Sequence, residues 1–497
     1  MPFETELKFQ VPPAARAALL RAVATARAQR TRLRATYADT ADHRLAAAGF
    51  ALRMRLEGSS WVQTLKGRGD GLAQRLEDEV PIGPSRHEPA LDATRHNGTP
   101  AGKALAALLA DGAALVPLYR TDIQRLHRRV RHAGALIELA YDRGFIETGG
   151  ERVAVDEIEF ELLSGPSQAL PALAARWAAK HRLWWDVRTK SERGFRLAIG
   201  AAQVPAVRAA KALLPAGDGV FAVWQSTLAS VLAQALPNAA EVAAGSGTPE
   251  HLHQLRVAIR RLRSALSLLA PWGMEDASHA LEERWAVCFA ELGQARDADV
   301  IAQTWLPRLQ AAGCPPLAAP TSAGGAVPAE VVRGPAFTAA ALDTLAWVLA
   351  PVPDGREESP RRAAASLVLR SAWRRAWADA SVFEQADIPR RHRARKRIKR
   401  LRYAFEFLAP LYPAKAARPV QKALNRALEA LGQCNDLQVA RDHFRARAQT
   451  DGPSTQPGAW FADGWLAAQQ PAALQHAVKA LARLKAAAKP WRARARR

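Results

Sequence analysis

The hydrophobic pattern of the chain changes near its middle. Up to about residue 200, apolar and polar residues alternate in short runs with a period of two, which is typical of half-buried β-strands. These runs predict strands at 3–10, 50–57, 61–66, 75–82, 123–131, 135–142 and 153–163, with helices near 13–29, 102–110 and 168–180. From about residue 220 the apolar positions recur every 3.6 residues instead, which is typical of amphipathic helices. Helices are predicted at 220–236, 250–270, 276–293, 297–311, 361–380, 390–410, 415–431, 436–448 and 471–488.

The two patterns predict an α+β multidomain protein. We expect one domain at 1–200 and a second, all-helical domain at 215–490. A stretch rich in Pro, Gly and Ala at 314–335 is typical of a linker, and it divides the helical domain into parts at about 215–313 and 336–490.

Charge is distributed unevenly between the predicted domains. The 497 residues contain 70 Lys and Arg against 47 Asp and Glu, a net charge of +23. Residues 1–200 contribute +7 of this charge, and residues 201–497 contribute +16. A strongly basic domain attracts polyanions such as nucleic acid, polyphosphate or an anionic membrane surface.

Composition excludes several classes of protein. With 49% hydrophobic and 24% charged residues, global disorder is excluded. Arginine interrupts each apolar run before it reaches the roughly 18 residues of a membrane span. Three cysteines without metal-binding spacing predict no disulfide framework, and the N-terminus shows no secretory signal. We therefore expect a cytoplasmic protein.

Two motifs recur in the helical half with one spacing. A basic motif that begins at His253 returns at His392, and a Leu-Gly-Gln motif at Leu292 returns at Leu431, both 139 residues later. A shared offset indicates an internal duplication. At about 100° per residue, the basic residues of each copy fall on one arc of about 80° beside an apolar face. The two stripes are His253, Arg256, Arg260 and Arg263, and His392, Arg395, Lys399 and Arg402.

These features resemble the CHAD family, the conserved-histidine α-helical domains, over about residues 215–490. The resemblance implies a duplicated bundle of antiparallel helices that binds inorganic polyphosphate, and it adds Arg261 and Arg400 to the binding residues. It also suggests association with polyphosphate-containing granules. We do not expect nucleic acid as the partner, because the basic helices offer few aromatic side chains for base stacking.

In the first domain, charged residues occupy one face of strand after strand. Glu4, Glu6 and Lys8 alternate with apolar residues, so all three project from the same face of their strand. Further strands repeat the pattern with Arg53 and Arg55, with Glu77 and Glu79, and with Glu157, Glu159 and Glu161. A closed barrel with a charged, water-filled interior accounts for these faces. Clustered carboxylates favour a hard divalent cation, and clustered Arg and Lys favour phosphate oxygens.

The ordered motifs resemble the CYTH family of triphosphate tunnel metalloenzymes over residues 1–200, from Glu4-Thr-Glu6-Leu-Lys8 to Lys190-Ser-Glu-Arg-Gly194. The resemblance implies an eight-stranded antiparallel tunnel β-barrel with flanking helices, which hydrolyses inorganic triphosphate with Mg²⁺ or Mn²⁺. It implies that Glu4, Glu6 and Lys8 are catalytic, and that the triphosphate is bound by Lys8, Arg53, Arg55, Lys66, Arg125 and Lys190. The implied metal ligands are Glu4, Glu6, Glu77, Glu79, Glu157, Glu159 and Glu161, with Glu138 and Asp142 as supporting candidates.

Other functions stay open on the sequence alone. Adenylate cyclase or thiamine triphosphatase activity could use the same tunnel, although no dedicated adenine or thiazolium pocket is recognisable. A third hypothesis is a scaffold of polyphosphate granules with little or no catalysis. Phosphate release from tripolyphosphate with Mg²⁺ separates the catalytic hypotheses from the scaffold.

Overall fold

The computed structural model describes residues 3–69, 74–210, 219–269, 275–300, 304–317, 327–351, 361–450, 457–487 and 489–492. The chain divides into two compact units. The sheet unit comprises Met1–Arg208, Leu232–Leu255 and Pro328–Ala350, and the helical unit comprises Ala209–Val231, Arg256–Val327 and Pro351–Arg497. The domain limits predicted from the sequence, 1–200 and 215–490, stay predictions.

The sheet unit is built on nine antiparallel strands, one more than the eight-stranded barrel that the family resemblance implies. The strands are β1 (Phe3–Gln10), β2 (Gln29–Thr40), β3 (Ala51–Glu57), β4 (Ser60–Arg68), β5 (Gln74–Pro84), β6 (Leu115–His132), β7 (Ala135–Thr148), β8 (Glu151–Ser164) and β9 (Trp184–Trp185). They pair in the order β5-β4-β3-β2-β6-β7-β8-β1-β9, and the first residues of β1 also pair with β5. All seven predicted strands are present, so the period-two pattern found each of them.

The sequence pattern failed at the second strand. A helix was predicted at 13–29, but the structure ends helix α1 (Arg16–Val23) early and starts β2 at Gln29. The first residues of β2 are mostly exposed and polar, and only Leu33 among the first six is buried. The strand forms because it pairs along its length with β6 and also with β3, which are contacts that a local pattern does not contain.

Fourteen further helices follow α1 in the described parts of the chain. They are α2 (Arg44–Ala47), α3 (Pro100–Leu108), α4 (Ala169–His181), α5 (Lys190–Ala198), α6 (Val220–Ala244), α7 (Pro249–Leu269), α8 (Glu275–Val300), α9 (Leu306–Ala311), α10 (Pro328–Arg333), α11 (Pro335–Val348), α12 (Arg361–Ala380), α13 (Ile388–Leu408), α14 (Ala414–Thr450) and α15 (Pro457–Ala486). The predicted helices at 415–431 and 436–448 are one continuous helix, α14, and α10 lies inside the predicted linker. None of these helices combines the length and apolarity needed to span a bilayer.

Helix α4 packs against the apolar side of β1 and β8. The apolar side chains Leu7 and Phe9 of β1 are buried, and Phe9 packs edge-on against Phe160 of β8. Phe160 in turn contacts Trp177 of α4. Because neighbouring residues of a strand point to opposite faces, the charged residues of β1 and β8 are directed away from α4.

Helix α5 lies unusually close to the sheet. A Cβ atom on Gly194 would lie 2.3 Å from the ring of Tyr119 on β6, so only glycine permits this approach. Thr189 and Glu192 form a capping box at the start of the helix. The helix therefore begins at a fixed point, and its first residue, Lys190, has a defined position.

Candidate functional site

A cavity of about 950 Å³ in the sheet unit collects charged side chains of both signs. Eight strands, β1 to β8, contribute to its wall together with α2 and α5. The charged residues lining it are Glu4, Glu6, Lys8, Asp39, Arg53, Arg55, Lys66, Glu77, Asp78, Glu79, Arg125, Asp142, Glu159, Glu161, Lys190 and Glu192. Of the sequence-predicted catalytic, triphosphate-binding and metal-ligating residues, the structure brings all but Glu157 and the supporting candidate Glu138 to this wall.

Strand register explains why the charges meet. On the pairing of β1 with β8, Glu6 lies opposite Glu161 and Lys8 lies opposite Glu159. Residues directly opposite each other on antiparallel strands point to the same face, with Cβ atoms about 4.5–5.5 Å apart. Glu138 of β7 lies opposite Glu161 on its other side. The register therefore places three carboxylates side by side at one level and a lysine next to a carboxylate at the next.

Glu4 and Glu77 share one lysine. Nζ of Lys66 lies 2.7 Å from Oε2 of Glu77 and 3.4 Å from Oε2 of Glu4. Burial, a hydrogen bond with Glu77 and the charge of Glu6 raise the pKa of Glu4 to about 9, although Lys66 opposes this. Burial also opposes ionisation of Glu77, but Lys66 outweighs it and holds the pKa of Glu77 below its usual range. The two carboxylates therefore favour sharing one proton between them.

Two buried arginines line the cavity with unused donors. Arg53 is 7% exposed, and its Nη1 donates to the hydroxyl oxygen of Tyr37 at 3.1 Å. Three further guanidinium nitrogens are buried without a hydrogen-bond partner among the described residues: Nε and Nη2 of Arg53, and Nε of Arg55. Nη2 of Arg53 lies 3.6 Å from Glu77. Buried guanidinium donors ordinarily have acceptors. Phosphate oxygens would supply the acceptors that these arginines lack.

Lys190 neutralises a second group of carboxylates. Its Nζ lies 2.7 Å from Asp142, 2.6 Å from Glu157 and 2.7 Å from Glu159. Arg125 adds hydrogen bonds to Asp142 at 2.7 Å and to Glu159 at 2.5 Å. Burial opposes ionisation of Glu159, but Lys190 and Arg125 hold its pKa well below the usual range. With Arg193 of α5, which pairs with Glu157, three cations face the three carboxylates, so the group is neutral without an added ion.

Glu157 lies behind this group rather than on the cavity wall. It is fully buried, and Arg193 of α5 lies 2.9 Å from its Oε2. The sequence analysis gave no role to Arg193, although its position three residues after Lys190 places both on one face of a helix. That spacing was the available signal for the Glu157–Arg193 pair.

The carboxylates around Glu161 suit a divalent cation better. Burial and the charges of Glu138, Glu6 and Glu77 raise the pKa of Glu161 to about 7. Among the described residues, the one group of three acidic side chains whose oxygens lie within 4.8 Å of one another is Asp142, Glu157 and Glu159, but Lys190 lies within 2.7 Å of all three. A cation held by oxygen ligands would relieve the repulsion at Glu161, whereas at the second group it would compete with an ammonium. The carboxylates around Glu161 could therefore bind a metal ion through their oxygens.

The helical unit contains a cluster of cations from both sequence copies. On α7, the guanidinium groups of Arg256, Arg260 and Arg263 lie 5.1, 5.2 and 5.8 Å from the ring centre of Phe289. On α13, burial and the charges of Arg260, Arg395 and Arg402 lower the pKa of Lys399 to about 7. The two stripes are thus close enough to repel each other.

The arginines of the two copies differ in how they are held. Nη1 of Arg256 donates to the carbonyl oxygen of Gly293 at 2.9 Å. Nε of Arg395 is buried without a hydrogen-bond partner in the described parts of the chain, and Asp436 lies 3.9 Å from its Nη2. His392 donates from Nδ1 to Asn435 at 3.0 Å. The side chains of 294–300, which include the acidic end of the first-copy motif, lie outside the described residues.

Three further predicted polyphosphate-binding residues have different surroundings. Arg261 is 2% exposed, and its Nη2 pairs with Glu406 of α13 at 2.8 Å inside the helical unit. Arg400, its counterpart in the second copy, is exposed. His253, one turn before Arg256 on α7, is grouped with the sheet unit. A role of Arg400 and His253 in polyphosphate binding stays a prediction.

Comparison with known proteins assigns both halves of the chain to families. The model of the CYTH domain matches residues 2–195, and the model of the CHAD domain matches residues 226–445. The chain is therefore a CYTH domain followed by a CHAD domain.

Three of the individual matches share 19–30% sequence identity with this chain. An inorganic triphosphatase from Haemophilus influenzae (strain ATCC 51907 / DSM 11121 / KW20 / Rd) is 30% identical over 169 residues, which is 33% of this chain. The match spans 45% of that protein, less than half of its length. Among solved structures, the CHAD domain from the plant Ricinus communis is 30% identical, with a TM-score of 0.44, over 57% of this chain and 98% of that one. A Hippeastrum protein described as an adenylyl cyclase candidate with a dominant triphosphatase activity is 19% identical, with a TM-score of 0.30, over 39% and 95% of the two chains.

Proposed function

We propose that the sheet unit hydrolyses inorganic triphosphate with Mg²⁺ or Mn²⁺. One observation carries the proposal: a single cavity combines buried arginine nitrogens that have no hydrogen-bond acceptor among the described residues with clustered carboxylates, where burial and mutual repulsion raise the pKa of Glu161. A metal-bound oligophosphate would accept hydrogen bonds from the arginines and relieve the repulsion among the carboxylates. The pairing of β1 with β8 on one side and β5 on the other supports an eight-stranded tunnel, with β9 as an added strand.

The cations and the carboxylates on the cavity wall would have different roles. Lys8, Arg53 and Arg55 would bind phosphate oxygens, together with Lys66, Arg125 and Lys190. A divalent cation held by the carboxylates near Glu161 would neutralise charge on the phosphate oxygens. Phosphoryl transfer depends mainly on positioning and on charge stabilisation, so a rigid wall of fixed charges suits the reaction.

A substrate panel tests the catalytic proposal. Tripolyphosphate, long-chain polyphosphate, ATP and thiamine triphosphate are incubated with the full chain, with and without Mg²⁺ or Mn²⁺, and phosphate release is measured. We expect metal-dependent release from tripolyphosphate above the others. Preference for thiamine triphosphate, or formation of cyclic AMP from ATP, would support those activities instead. No turnover of any substrate would support the scaffold hypothesis.

We further propose that the cation cluster of the helical unit binds inorganic polyphosphate. The support is the repulsion among Arg260, Arg395, Lys399 and Arg402, because a polyanion would relieve it. The test is binding of long-chain polyphosphate, with duplex DNA as competitor at matched salt. Arg260→Ala should weaken polyphosphate binding, whereas Arg418→Ala, which removes an exposed arginine on α14, should not. Equal weakening by both variants, or stronger binding of DNA, would contradict a specific polyphosphate site.

A further inference from the structure

A short segment after β9 holds two of the cations on the cavity wall. The ammonium of Lys8 donates to the carbonyl oxygen of Arg188. The backbone nitrogen of Asp186 donates to the carbonyl oxygen of Lys8 at 3.1 Å. Lys190 begins α5 two residues after Arg188, and its ammonium contacts the carboxylates of β7 and β8. The positions of Lys8 and Lys190 therefore depend on where residues 186–198 lie.

A carboxylate from α6 holds this segment from outside the cavity. Glu241 is 2% exposed, and its Oε1 lies 2.7 Å from Nη1 of Arg196 on α5. Its Oε2 lies 4.0 Å from Nη1 of Arg188 and accepts a hydrogen bond from Ser246 at 2.6 Å. One buried carboxylate thus pairs with an arginine at each end of the segment.

Neighbouring contacts show that this part of α6 belongs to the sheet unit. Residues 232–255 and 328–350 group with the sheet, although they lie within the region matched by the CHAD model. Asn238, one turn before Glu241, exchanges two hydrogen bonds with the backbone of Val207, at 3.1 and 2.9 Å. Arg333 of α10 donates to the carbonyl oxygen of Ala243 at 2.7 Å and lies over the ring of Trp184. Glu241 is therefore held on a supported helix and is not a loose surface residue.

Burial of Glu241 needs these partners. A carboxylate removed from water is costly unless it is paired, and removing one partner of a buried pair leaves the other uncompensated. Glu241 itself is absent from the cavity wall. Its effect on the cavity passes through Arg196 and Arg188 to the segment that carries Lys190 and receives the hydrogen bond from Lys8.

We propose that Glu241 is a positioning residue of the cavity: by pairing with Arg196 and Arg188 it fixes the start of α5 and so the places of Lys190 and Lys8. The consequence for catalysis rests on the proposed triphosphatase function, while the consequence for the segment does not. It follows that a CYTH domain cut at its family limit, residue 195, lacks both Glu241 and Arg196.

The test compares Glu241→Gln with Arg196→Gln, with the double variant, and with Glu330→Gln as a control at an exposed glutamate of the same unit. Hydrogen-exchange mass spectrometry of the full chain reads the peptide covering 186–198 directly. Steady-state kinetics with tripolyphosphate and Mg²⁺ reads the consequence. We expect exchange of that peptide to rise about tenfold and KM to rise about fivefold to tenfold with kcat changed less than twofold, as for loosened substrate-positioning groups. The double variant should resemble Glu241→Gln, because that variant already removes both pairs of the carboxylate, whereas Arg196→Gln leaves the contact with Arg188.

Several results would overturn the proposal. One is unchanged exchange of 186–198 in both single variants. Another is faster exchange throughout the sheet with kcat reduced at an unchanged KM, because partial unfolding removes active enzyme without changing the affinity of the rest. Additive effects in the double variant would also contradict it. If Glu241→Gln does not fold, Arg196→Gln decides, since it leaves the carboxylate in place. A wild-type chain without triphosphatase activity would refute the proposed function, and the exchange measurement would still decide the role of Glu241.

Discussion

Replacing Lys190 with methionine is the sharpest test of the electrostatics of the cavity. Lys190→Met keeps the length of the side chain and removes its charge. Asp142, Glu157 and Glu159, which now lie within 2.7 Å of Nζ, would lose their shared cation. Arg125 and Arg193 would remain as partial compensation.

The magnitude follows from those distances. At an effective dielectric constant of about 20, one charge pair at 2.7 Å is worth about 6 kcal/mol before desolvation. Desolvation of the ammonium offsets much of the sum over three such pairs. Breaking a buried ion pair costs about 3–5 kcal/mol when measured by substitution. We expect the lower end, about 3 kcal/mol, because the two arginines stay in place.

Hydrogen-exchange mass spectrometry of the full chain measures this cost locally. A loss of about 3 kcal/mol corresponds to exchange that is about 100-fold faster in peptides from β7 and β8. Lys190→Arg should restore most of the protection because it restores the charge. Lys180→Met, at an exposed lysine of α4, is the matched control and should change exchange by less than about twofold.

The reasoning fails if Lys190→Met exchanges in β8 at the rate of the wild-type chain. That result would mean that the three carboxylates do not depend on Lys190 for neutralisation. It would equally fail if Lys180→Met produced the same acceleration, because the effect would then be independent of the buried carboxylates.

Three further predictions concern both units. Glu4→Gln should abolish phosphate release, while its affinity for tripolyphosphate stays within about threefold of wild type. The control Glu88→Gln, at an exposed glutamate, should leave phosphate release and affinity unchanged. Parallel loss of binding and turnover in Glu4→Gln would contradict a catalytic role for Glu4. Polyphosphate binding should weaken as pH rises through about 7, by up to about tenfold per pH unit. The reason is that the pKa of Lys399 is lowered in the free protein and raised by a bound polyanion, so binding takes up a proton. Affinity measured from about pH 6 to about pH 9 should lose this pH dependence in Lys399→Gln. Arg261→Met should destabilise the helical unit by about 2 kcal/mol, because Glu406 loses its buried partner but keeps Arg402 at 2.9 Å. Polyphosphate affinity should be unchanged, and a selective loss of affinity would place Arg261 at the binding surface.

Much of the candidate site could be inferred from local sequence. The alternation of Glu4, Glu6 and Lys8 with apolar residues requires only that the segment is a strand, and the structure shows one. The duplicated basic helices were likewise inferred from the 3.6-residue period and the 139-residue offset, and α7 and α13 are present. In each case neighbours in sequence carry the information.

Partner choice could not be inferred in the same way. Glu157 and Glu159 share one face of β8, yet Arg193 and Lys190 bury the first, while the second lines the cavity. Arg260 and Arg261 are adjacent, but one belongs to the cation cluster and the other pairs with Glu406. These differences depend on which element packs against the residue.

The sequence by itself determined seven of the nine strands, most of the longer helices and the face on which the charges of those elements lie, because these follow from backbone periodicity over a few residues. Tertiary structure alone decided which charges meet, since cross-strand register and helix packing join residues far apart in the chain. Glu241 shows the difference most clearly. Its sequence neighbourhood resembles that of a helical bundle, and only the folded chain brings its carboxylate to Arg196 and Arg188, where burial makes the pairing necessary.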